Sequence, residues 1–389
     1  MLIVDAHQDL AWNMLTFGRD YTLPAMETRR REQESIAPVV NGSALLGWPE
    51  YQRGRIVVIF ATLFAAPMRR KEGAWDTICY ADMRQANHLY RAQVDLYARL
   101  VDDHPDKFRL ILSRRDLEEV LTPWREQPER EAAPEAAPQA DASEPGQEAE
   151  AGAGENGHPV GLVLTMEGAE GILGISELEE WWARGVRLIG PAWAGTRFCG
   201  GTQEPGPLTR DGFELLEGMA DLGFILDITH MDEEAALQAI DAYPGEVIAS
   251  HSNALALLRG SDSNRHLTDR VIRGLLERDG MVGIVPFNAF LKAGWKRGDP
   301  RHGISLQHVV AQIDYICQMA GDARHVGIGS DFDGGFGLQG TPPGIETIAD
   351  LQSIAPLLAE KGYTETDTAA ILAENWLTRL RRSLPESVS

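Results

Sequence analysis

The sequence predicts an α/β fold of the (β/α)8 TIM-type barrel class, with a disordered acidic insertion. Two observations favour this class: eight short apolar segments of β type recur along the chain, and helical patterns separate them. Near-continuous apolar strands that alternate with helices are typical of a parallel sheet, and eight such units are enough to close a barrel. A doubly wound open sheet is the main alternative, because a strand count from sequence is easily wrong by one.

The predicted strands are apolar segments that occur in the order 2–7, 55–64, 160–168, 186–192, 224–230, 246–252, 281–287 and 325–331. A further run at 107–112 is a candidate extra strand. The clearest helical patterns cover residues 77–101, 212–223, 231–243 and 267–280. Asp232 and Thr268 are suitable cap residues for the last two helices, and Gly280 ends the last one.

Residues 125–157 differ in composition from everything around them, being rich in Ala, Glu, Pro and Gly without any aromatic or branched aliphatic residue. Such a segment cannot bury enough apolar surface to offset its ordering entropy. It holds nine acidic and two basic residues, so it contributes −7 to the net charge of −22. Since the next predicted strand begins at once, we interpret it as a solvated insertion within one domain of residues 1–389.

The composition excludes several classes of protein. A net charge of −22 disfavours binding to nucleic acid and to anionic membrane surfaces. Cys79, Cys199 and Cys317 are far apart and form no CxxC pair, which favours a reducing compartment over a disulfide framework. The amino-terminal residues lack the basic region of a signal peptide, and no apolar run approaches the ~20 residues that span a bilayer. We therefore expect a cytoplasmic protein.

Five of the predicted strands end in side chains that commonly bind metals. A single histidine or carboxylate there is more often a satisfied polar residue or a helix cap, but six at the same ends are hard to accept as coincidence. Because the carboxyl ends of barrel strands converge where active sites form, we expect these side chains to lie together. They are His7, Asp9, Glu167, His230, His251 and Asp331.

Imidazoles and carboxylates of this kind are good ligands for zinc or a similar divalent ion. Three histidines with Asp9 and Glu167 are too many for one tetrahedral zinc with an open position, and they suit two metals that share a carboxylate. Such a pair activates a bridging water, for which Asp331 would be the base. The other seven histidines fall in helices, loops or element starts, and we interpret them as surface or packing residues.

The segments DAHQDLAW, TMEGAEGI, LDITHM, ASHSNA and HVGIGSDFDGG, in this order, resemble the membrane dipeptidase (renal dipeptidase) family of the amidohydrolase superfamily. The resemblance runs from residue 3 to about 380, interrupted by the acidic insertion. It implies a (β/α)8 barrel with a binuclear zinc centre and dipeptidase activity. The family is often dimeric, so it also favours a homodimer.

The resemblance assigns roles to individual residues. His7, Asp9 and Glu167 match the ligands of one zinc ion. Glu167 also matches the bridging ligand to a second zinc ion, whose other ligands are His230 and His251. Asp331 matches the catalytic aspartate. Arg265 matches the arginine that holds the terminal carboxylate of the substrate, a role that a planar guanidinium suits.

One position departs from the family pattern. Family members carry a histidine after the fourth strand that stabilises the tetrahedral intermediate, whereas this chain has Trp193 near that position and no histidine between His158 and His230. An indole N–H donates one hydrogen bond and carries no charge. Losing such a partner typically costs ~10²–10³ in rate. Dipeptide hydrolysis would then be slower, use Arg197, or give way to another amide or ester.

These observations predict a zinc-dependent dipeptidase in which a metal-bridging hydroxide attacks the peptide bond of a small dipeptide. Two alternatives stay open. The same site could act on another small amide, an N-acyl amino acid or a lactone, which the indole of Trp193 motivates. The second alternative is a barrel that binds metal or peptide without catalysis, and the presence of all six site residues disfavours it.

Overall fold

The computed structural model describes residues 1–126 and 157–387. Its barrel strands are β1 (Ile3–Gln8), β2 (Ile56–Phe64), β3 (Val160–Glu167), β4 (Val186–Gly190), β5 (Ile225–Asp227), β6 (Val247–Ala249), β7 (Met281–Ile284) and β8 (Val326–Ile328). Each strand pairs in parallel with its neighbours in this order, and β8 pairs with β1. Eight parallel strands thus close a barrel, and the predicted fold class is confirmed.

Among the described residues, five further strands lie outside the barrel. Phe108–Leu110 pairs with the edge of β3, which confirms the candidate extra strand. Ala66–Pro67 pairs in parallel with Cys79–Tyr80. Cys199–Gly201 and Glu204–Leu208 form an antiparallel pair, which we call the β4–β5 hairpin. This hairpin follows β4 at the carboxyl end of the barrel, where it can reach the ends of neighbouring strands.

The helices occupy the connections. The α-helices span Leu10–Phe17, Ala25–Glu32, Ala37–Val40, Trp48–Gly54, Met83–Asp103, Arg114–Glu126, Leu178–Ala183, Arg210–Leu222, Glu233–Ala242, Asp269–Glu277, Asn288–Leu291, Leu306–Ala320, Ile354–Lys361, Glu365–Ala369 and Asn375–Ser383. Short 3₁₀ turns span Met68–Arg70, Ala169–Gly171, Ile175–Glu177, Leu255–Leu257, Leu338–Gly340 and Ile348–Ser353, and a π-helical turn spans Ala370–Glu374.

The core lies between the barrel and its helices. Seven of the eight barrel strands are buried along their whole length, and β2 is buried up to its last residue. This burial explains their near-continuous apolar sequences. The helix Met83–Asp103 shows how the outer layer packs, because Tyr90, Val94 and Tyr97 recur on its buried face at helical spacing. Tyr97 also donates a hydrogen bond to the carbonyl of Thr62 in β2, 2.9 Å away.

A buried ionic network holds the amino-terminal segment against the loop that follows β8. The guanidinium of Arg19 lies 3.0 Å from a carboxylate oxygen of Asp333 and 2.8 Å from one of Glu32. Leu45 donates its backbone N–H to Asp333 at 2.9 Å, and Asn13 donates to its carbonyl at 2.9 Å. The two carboxylates offset the cost of burying the arginine. Asp331 lies two residues before Asp333, so this network also anchors the loop that carries Asp331.

Four local predictions were wrong in detail. Helix 77–101 begins only at Met83, because Asp82 accepts hydrogen bonds from two backbone N–H groups of its first turn. The strands predicted at 224–230 and 246–252 are shorter, since the chain leaves the sheet before His230 and His251. Asp232 stands at the start of its helix without capping it, and its carboxylate accepts a hydrogen bond from Asn264 instead.

The predicted insertion at 125–157 lies outside the described residues, apart from its ends. Arg125 and Glu126 belong to the helix Arg114–Glu126, so the boundary of the segment falls slightly later than expected. Arg125 pairs there with Glu118 at 3.1 Å. None of the helices in the described part of the chain combines the length and the apolar character needed to cross a bilayer.

Candidate metal centre and active site

The six predicted ligands and base converge at the carboxyl mouth of the barrel. His7 lies within β1, and Glu167 is the last residue of β3. The remaining four follow strands β1, β5, β6 and β8 within three residues. Each of the six has an atom within 4 Å of another member of the set, and all except Asp331 are buried. The full set is His7, Asp9, Glu167, His230, His251 and Asp331.

His7 is the centre of one group. Its Nε2 lies 3.6 Å from Oδ2 of Asp9, 3.6 Å from Oε2 of Glu167 and 3.8 Å from Oδ1 of Asp331. No hydrogen-bond partner among the described residues satisfies this nitrogen, nor Oδ1 of Asp9. Buried polar atoms of this kind are normally paired, so two potential ligand atoms remain available to an ion.

Glu167 connects this group to a second one. Its other carboxylate oxygen, Oε1, lies 2.9 Å from Nε2 of His230 and 3.5 Å from Nε2 of His251. The two imidazole nitrogens are themselves 3.2 Å apart. Each oxygen of Glu167 therefore faces a different set of ligand atoms, as a carboxylate shared between two ions would.

Hydroxyl groups orient the three histidines. Thr62 lies 3.3 Å from Nδ1 of His7 and Thr202 lies 2.8 Å from Nδ1 of His230. A histidine that donates from Nδ1 to such an oxygen keeps Nε2 unprotonated. These contacts therefore leave the Nε2 atoms that face Glu167 free to bind a metal.

The third histidine has a longer chain of partners. Ser250 Oγ lies 2.8 Å from Nδ1 of His251, and the same hydroxyl donates to the buried carboxylate of Asp227. Asp227 also accepts the backbone N–H of Ser250 at 3.0 Å. The carboxylate thus fixes the hydroxyl, and the hydroxyl fixes the ring.

The backbone is strained at two of the site residues. His230 and Asp331 have φ values of 68° and 58°, a left-handed conformation that non-glycine residues rarely adopt outside functional sites and turns. A side chain at Gly334 would place its Cβ 2.2 Å from Oδ1 of Asp331 and 2.8 Å from Oδ2 of Asp9. Glycine at this position leaves the space that the two carboxylates occupy.

The buried carboxylates of the cluster favour a bound cation. Burial raises the pKa of Glu167 well above its ordinary value, although His7 opposes the shift. Burial also raises the pKa of Asp331, with Asp9 adding to the shift, to about 7. Burial alone would lower the pKa of His7, yet its neighbours Glu167, Asp9 and Asp331 raise it to about 10. A buried set of carboxylates is stabilised by any positive charge placed among them.

The donor set fits a divalent metal. The ligand atoms of His7, Glu167 and His251 all lie within 4.8 Å of one another, as do those of His7, Asp9 and Asp331. Mixed nitrogen and carboxylate donors suit zinc and similar ions. The second grouping includes Asp331, so this residue is close enough to contact an ion as well as to act as a base.

Arg265 lies beside the centre as an unpaired buried cation. Its guanidinium donates to the carbonyl of His251 at 2.8 Å and to Ser252 Oγ at 3.2 Å, and it stacks 5.0 Å from the ring of Phe290. Its hydrogen-bond partners among the described residues are neutral. Arg265 is only 6% exposed, so it does not form a surface ion pair. A buried cation of this kind favours an anionic ligand.

A cavity opens next to this arginine. It has a volume of about 630 Å³, and both Arg265 and His230 line it. Such a volume falls in the range of sites that bind small molecules. One predicted metal ligand, His230, and the predicted carboxylate-binding residue, Arg265, thus border one space.

Trp193 lies beside the candidate site, with its ring centroid 6.2 Å from that of His230. Arg197, the alternative partner for a reaction intermediate, is engaged elsewhere. Its guanidinium pairs with Glu170 at 3.7 Å and donates to the carbonyls of Glu170 and Ile172. Of the two candidates, only the indole contacts a predicted ligand.

Sequence reasoning missed the residues that orient the ligands. Thr62, Asp227 and Ser250 are polar side chains inside otherwise apolar strand segments, which is the signal that could have identified them. Thr202 carries no comparable signal, because it lies in the β4–β5 hairpin, 28 residues before its partner His230.

The hydroxyl of Thr202 gives a test of this arrangement. Thr202→Val removes the contact with Nδ1 of His230 while keeping the side-chain shape, and we expect it to weaken metal binding by ~10–100-fold. Thr202→Ser keeps the hydroxyl and serves as the matched control. Competition with a chromophoric chelator measures both affinities. Equal affinities for the two variants would show that the hydroxyl does not orient a ligand.

Comparison with known proteins agrees with this geometry. Residues 144–384 match the family described as Membrane dipeptidase (Peptidase family M19). An uncharacterized protein in the pqqA 5′ region of Klebsiella pneumoniae is 33% identical over 230 residues, which are 57% of this chain and 81% of that protein.

Solved structures share the fold. The metallopeptidase called dipeptidase AC superposes with a TM-score of 0.73 at 22% identity, covering 100% of this chain and 99% of its own. A metallopeptidase from Rhodobacter sphaeroides, liganded with a phosphinate mimic of the dipeptide L-Ala-D-Ala, gives a TM-score of 0.73 at 21% identity, covering 98% and 99%. On the family match and the fold together, this chain belongs to the membrane dipeptidase family of metallopeptidases, peptidase family M19.

Proposed function

We propose that the protein is a zinc-dependent dipeptidase that hydrolyses the peptide bond of small dipeptides at a two-metal centre. The observation that carries this proposal is the position of Glu167, whose two carboxylate oxygens face two separate sets of ligand atoms. Membership of a dipeptidase family supports the reaction, and the buried guanidinium of Arg265 supports a small substrate with a carboxylate.

Two groups of residues would hold the metals. His7 and Asp9 would bind one ion, His230 and His251 the other, and Glu167 both. Bound there, the ions would lower the pKa of a water molecule and polarise the scissile carbonyl. The hydroxyls of Thr62, Thr202 and Ser250 would keep the imidazoles in the tautomer that binds metal.

Asp331 would transfer the protons. Its carboxylate lies next to His7 at the edge of the centre, and its side chain is 13% exposed to solvent. As the water oxygen bonds to the carbonyl carbon, Asp331 would accept the water proton. When the carbon–nitrogen bond breaks, it would return that proton to the leaving amine. A carboxylate within reach of the water and of the leaving nitrogen can serve in turn as general base and general acid.

Arg265 would fix the carboxyl end of the substrate. The guanidinium is already anchored by His251 and Ser252, so little side-chain freedom is lost when a carboxylate binds. The mimic bound to the Rhodobacter sphaeroides metallopeptidase is of a dipeptide, which supports a ligand of the same size here.

A second candidate function is hydrolysis of another small amide, such as an N-acyl amino acid, or of a lactone. The indole of Trp193 near His230 favours it, because it occupies the place of a charged partner for the tetrahedral intermediate. A panel in which such substrates are hydrolysed faster than every dipeptide would decide for this function.

Removing the metal or the base tests the proposed reaction. We expect a chelator to abolish dipeptide hydrolysis and added zinc to restore it. Asp331→Asn should lower kcat by ~10²–10⁴ while the bound metal, measured by elemental analysis, stays close to that of the wild-type protein. Asp221→Asn, which changes an exposed aspartate on the helix Arg210–Leu222, is the matched control. Full activity in the metal-free protein would rule out the reaction proposed.

The role of Arg265 predicts a substrate preference. The wild-type protein should hydrolyse a dipeptide with a free carboxylate ~10–100-fold better, in kcat/KM, than the same dipeptide amide. Arg265→Met should abolish this preference, whereas Arg273→Met, at an exposed arginine with a side chain 59% accessible, should retain it. A preference that survives in Arg265→Met would contradict the assignment.

A further inference from the structure

Five aromatic side chains form a continuous surface at the carboxyl mouth of the barrel, beside the metal centre. We call it the aromatic wall. Four of its members keep part of their surface exposed, and one is buried at 6% exposure. In order of contact from the metal centre outwards, they are Trp193, Phe64, Trp12, Trp75 and Phe17.

The rings contact one another in series. The centroid of Trp193 lies 5.1 Å from that of Phe64, and Phe64 lies 6.3 Å from Trp12. Trp12 meets Trp75 at 6.2 Å and Phe17 at 5.5 Å, and the last two rings stack at 5.8 Å. These separations and tilts are those of favourable aromatic pairs, so the rings hold one another in place.

The aromatic wall borders the metal centre directly. Trp193 faces the ring of His230 at 6.2 Å. Phe64 is the last residue of β2 and is the register partner of Glu167 in β3. Trp12 lies in the first turn of the helix that follows Asp9. A substrate held at the centre would therefore meet apolar surface on this side.

Part of the aromatic wall lies opposite the arginine across the barrel mouth, whereas Trp193, which follows β4, lies between the two. Phe64 ends β2, while Arg265 lies in the connection after β6. In a closed barrel of eight strands in sequential order, β2 and β6 are four strands apart and therefore opposite. A substrate whose carboxylate binds Arg265 would direct its other half, the acyl side of the scissile bond, towards the wall.

We propose that the aromatic wall is a binding subsite for a large apolar or aromatic group on the acyl half of the substrate. The inference rests on the proposed hydrolase function and adds to it the substrate class. Transferring an aromatic side chain from water to such a surface is favourable in proportion to the apolar area that is buried. Trp193 thus supplies binding surface where the family pattern has a histidine.

Kinetics on a matched panel tests the subsite. With the zinc-loaded protein, kcat/KM for Phe-Ala and Leu-Ala should exceed that for Ala-Ala by ~10–100-fold, and Lys-Ala should gain no comparable advantage. Trp193→Ala should reduce the Phe-Ala to Ala-Ala ratio by about tenfold or more. Phe213→Ala, at an aromatic residue 40% exposed on the helix Arg210–Leu222, is the control and should keep the wild-type ratio.

Binding gives an independent readout that separates the two proposals. Calorimetry would compare non-hydrolysable phosphinate analogues of Phe-Ala and Ala-Ala, and the first should bind the wild-type protein ~10–100-fold more tightly. If no dipeptide is hydrolysed but this preference in Kd holds, the reaction is wrong and the subsite stands. Hydrolysis without any apolar preference, equal affinities, or no binding of either analogue would overturn the subsite.

Discussion

The burial of carboxylates at the mouth of the barrel is the constraint on which the rest of this site depends. Glu167 and Asp9 are almost fully shielded from water, and Asp331 is largely so. Desolvated negative charges this close together repel one another, and they persist in the ionised form only with positive charge among them. The neighbouring histidines direct their Nε2 atoms at these carboxylates, which is the arrangement of a metal centre.

The fold supplies this centre through the way its strands end. The barrel strands β5 to β8 are only three or four residues long, so the functional residues stand on the first loop residues beyond the sheet. The left-handed backbone of His230 and Asp331 turns these side chains, and the buried pair of Arg19 and Asp333 holds the loop after β8. Rigid strands and anchored loops together fix ligand positions that no single element could fix.

Much of this organisation is readable from the sequence, because apolar runs with polar residues at their carboxyl ends have one simple explanation in a parallel barrel. The predicted ends of β5 and β6 lie too far along the chain, because the sequence of an apolar run does not show that a residue such as His230 adopts a left-handed conformation. Thr202 could not be assigned, because hydroxyls are common in hairpins and its partner is distant in sequence. The aromatic wall was also beyond reach, as Trp12, Phe64 and Trp193 come together only through the closure of the barrel.

The number of metal ions bound per chain tests the central claim most directly. Elemental analysis of the protein after saturation with zinc and removal of free ions should give two ions per chain. Glu167→Gln should retain fewer, because one oxygen of the shared carboxylate is lost as a charged ligand, while Glu179→Gln, at an exposed position, should retain two. A wild-type protein with no tightly bound metal, or a Glu167→Gln variant that still binds two ions equally well, would contradict the account.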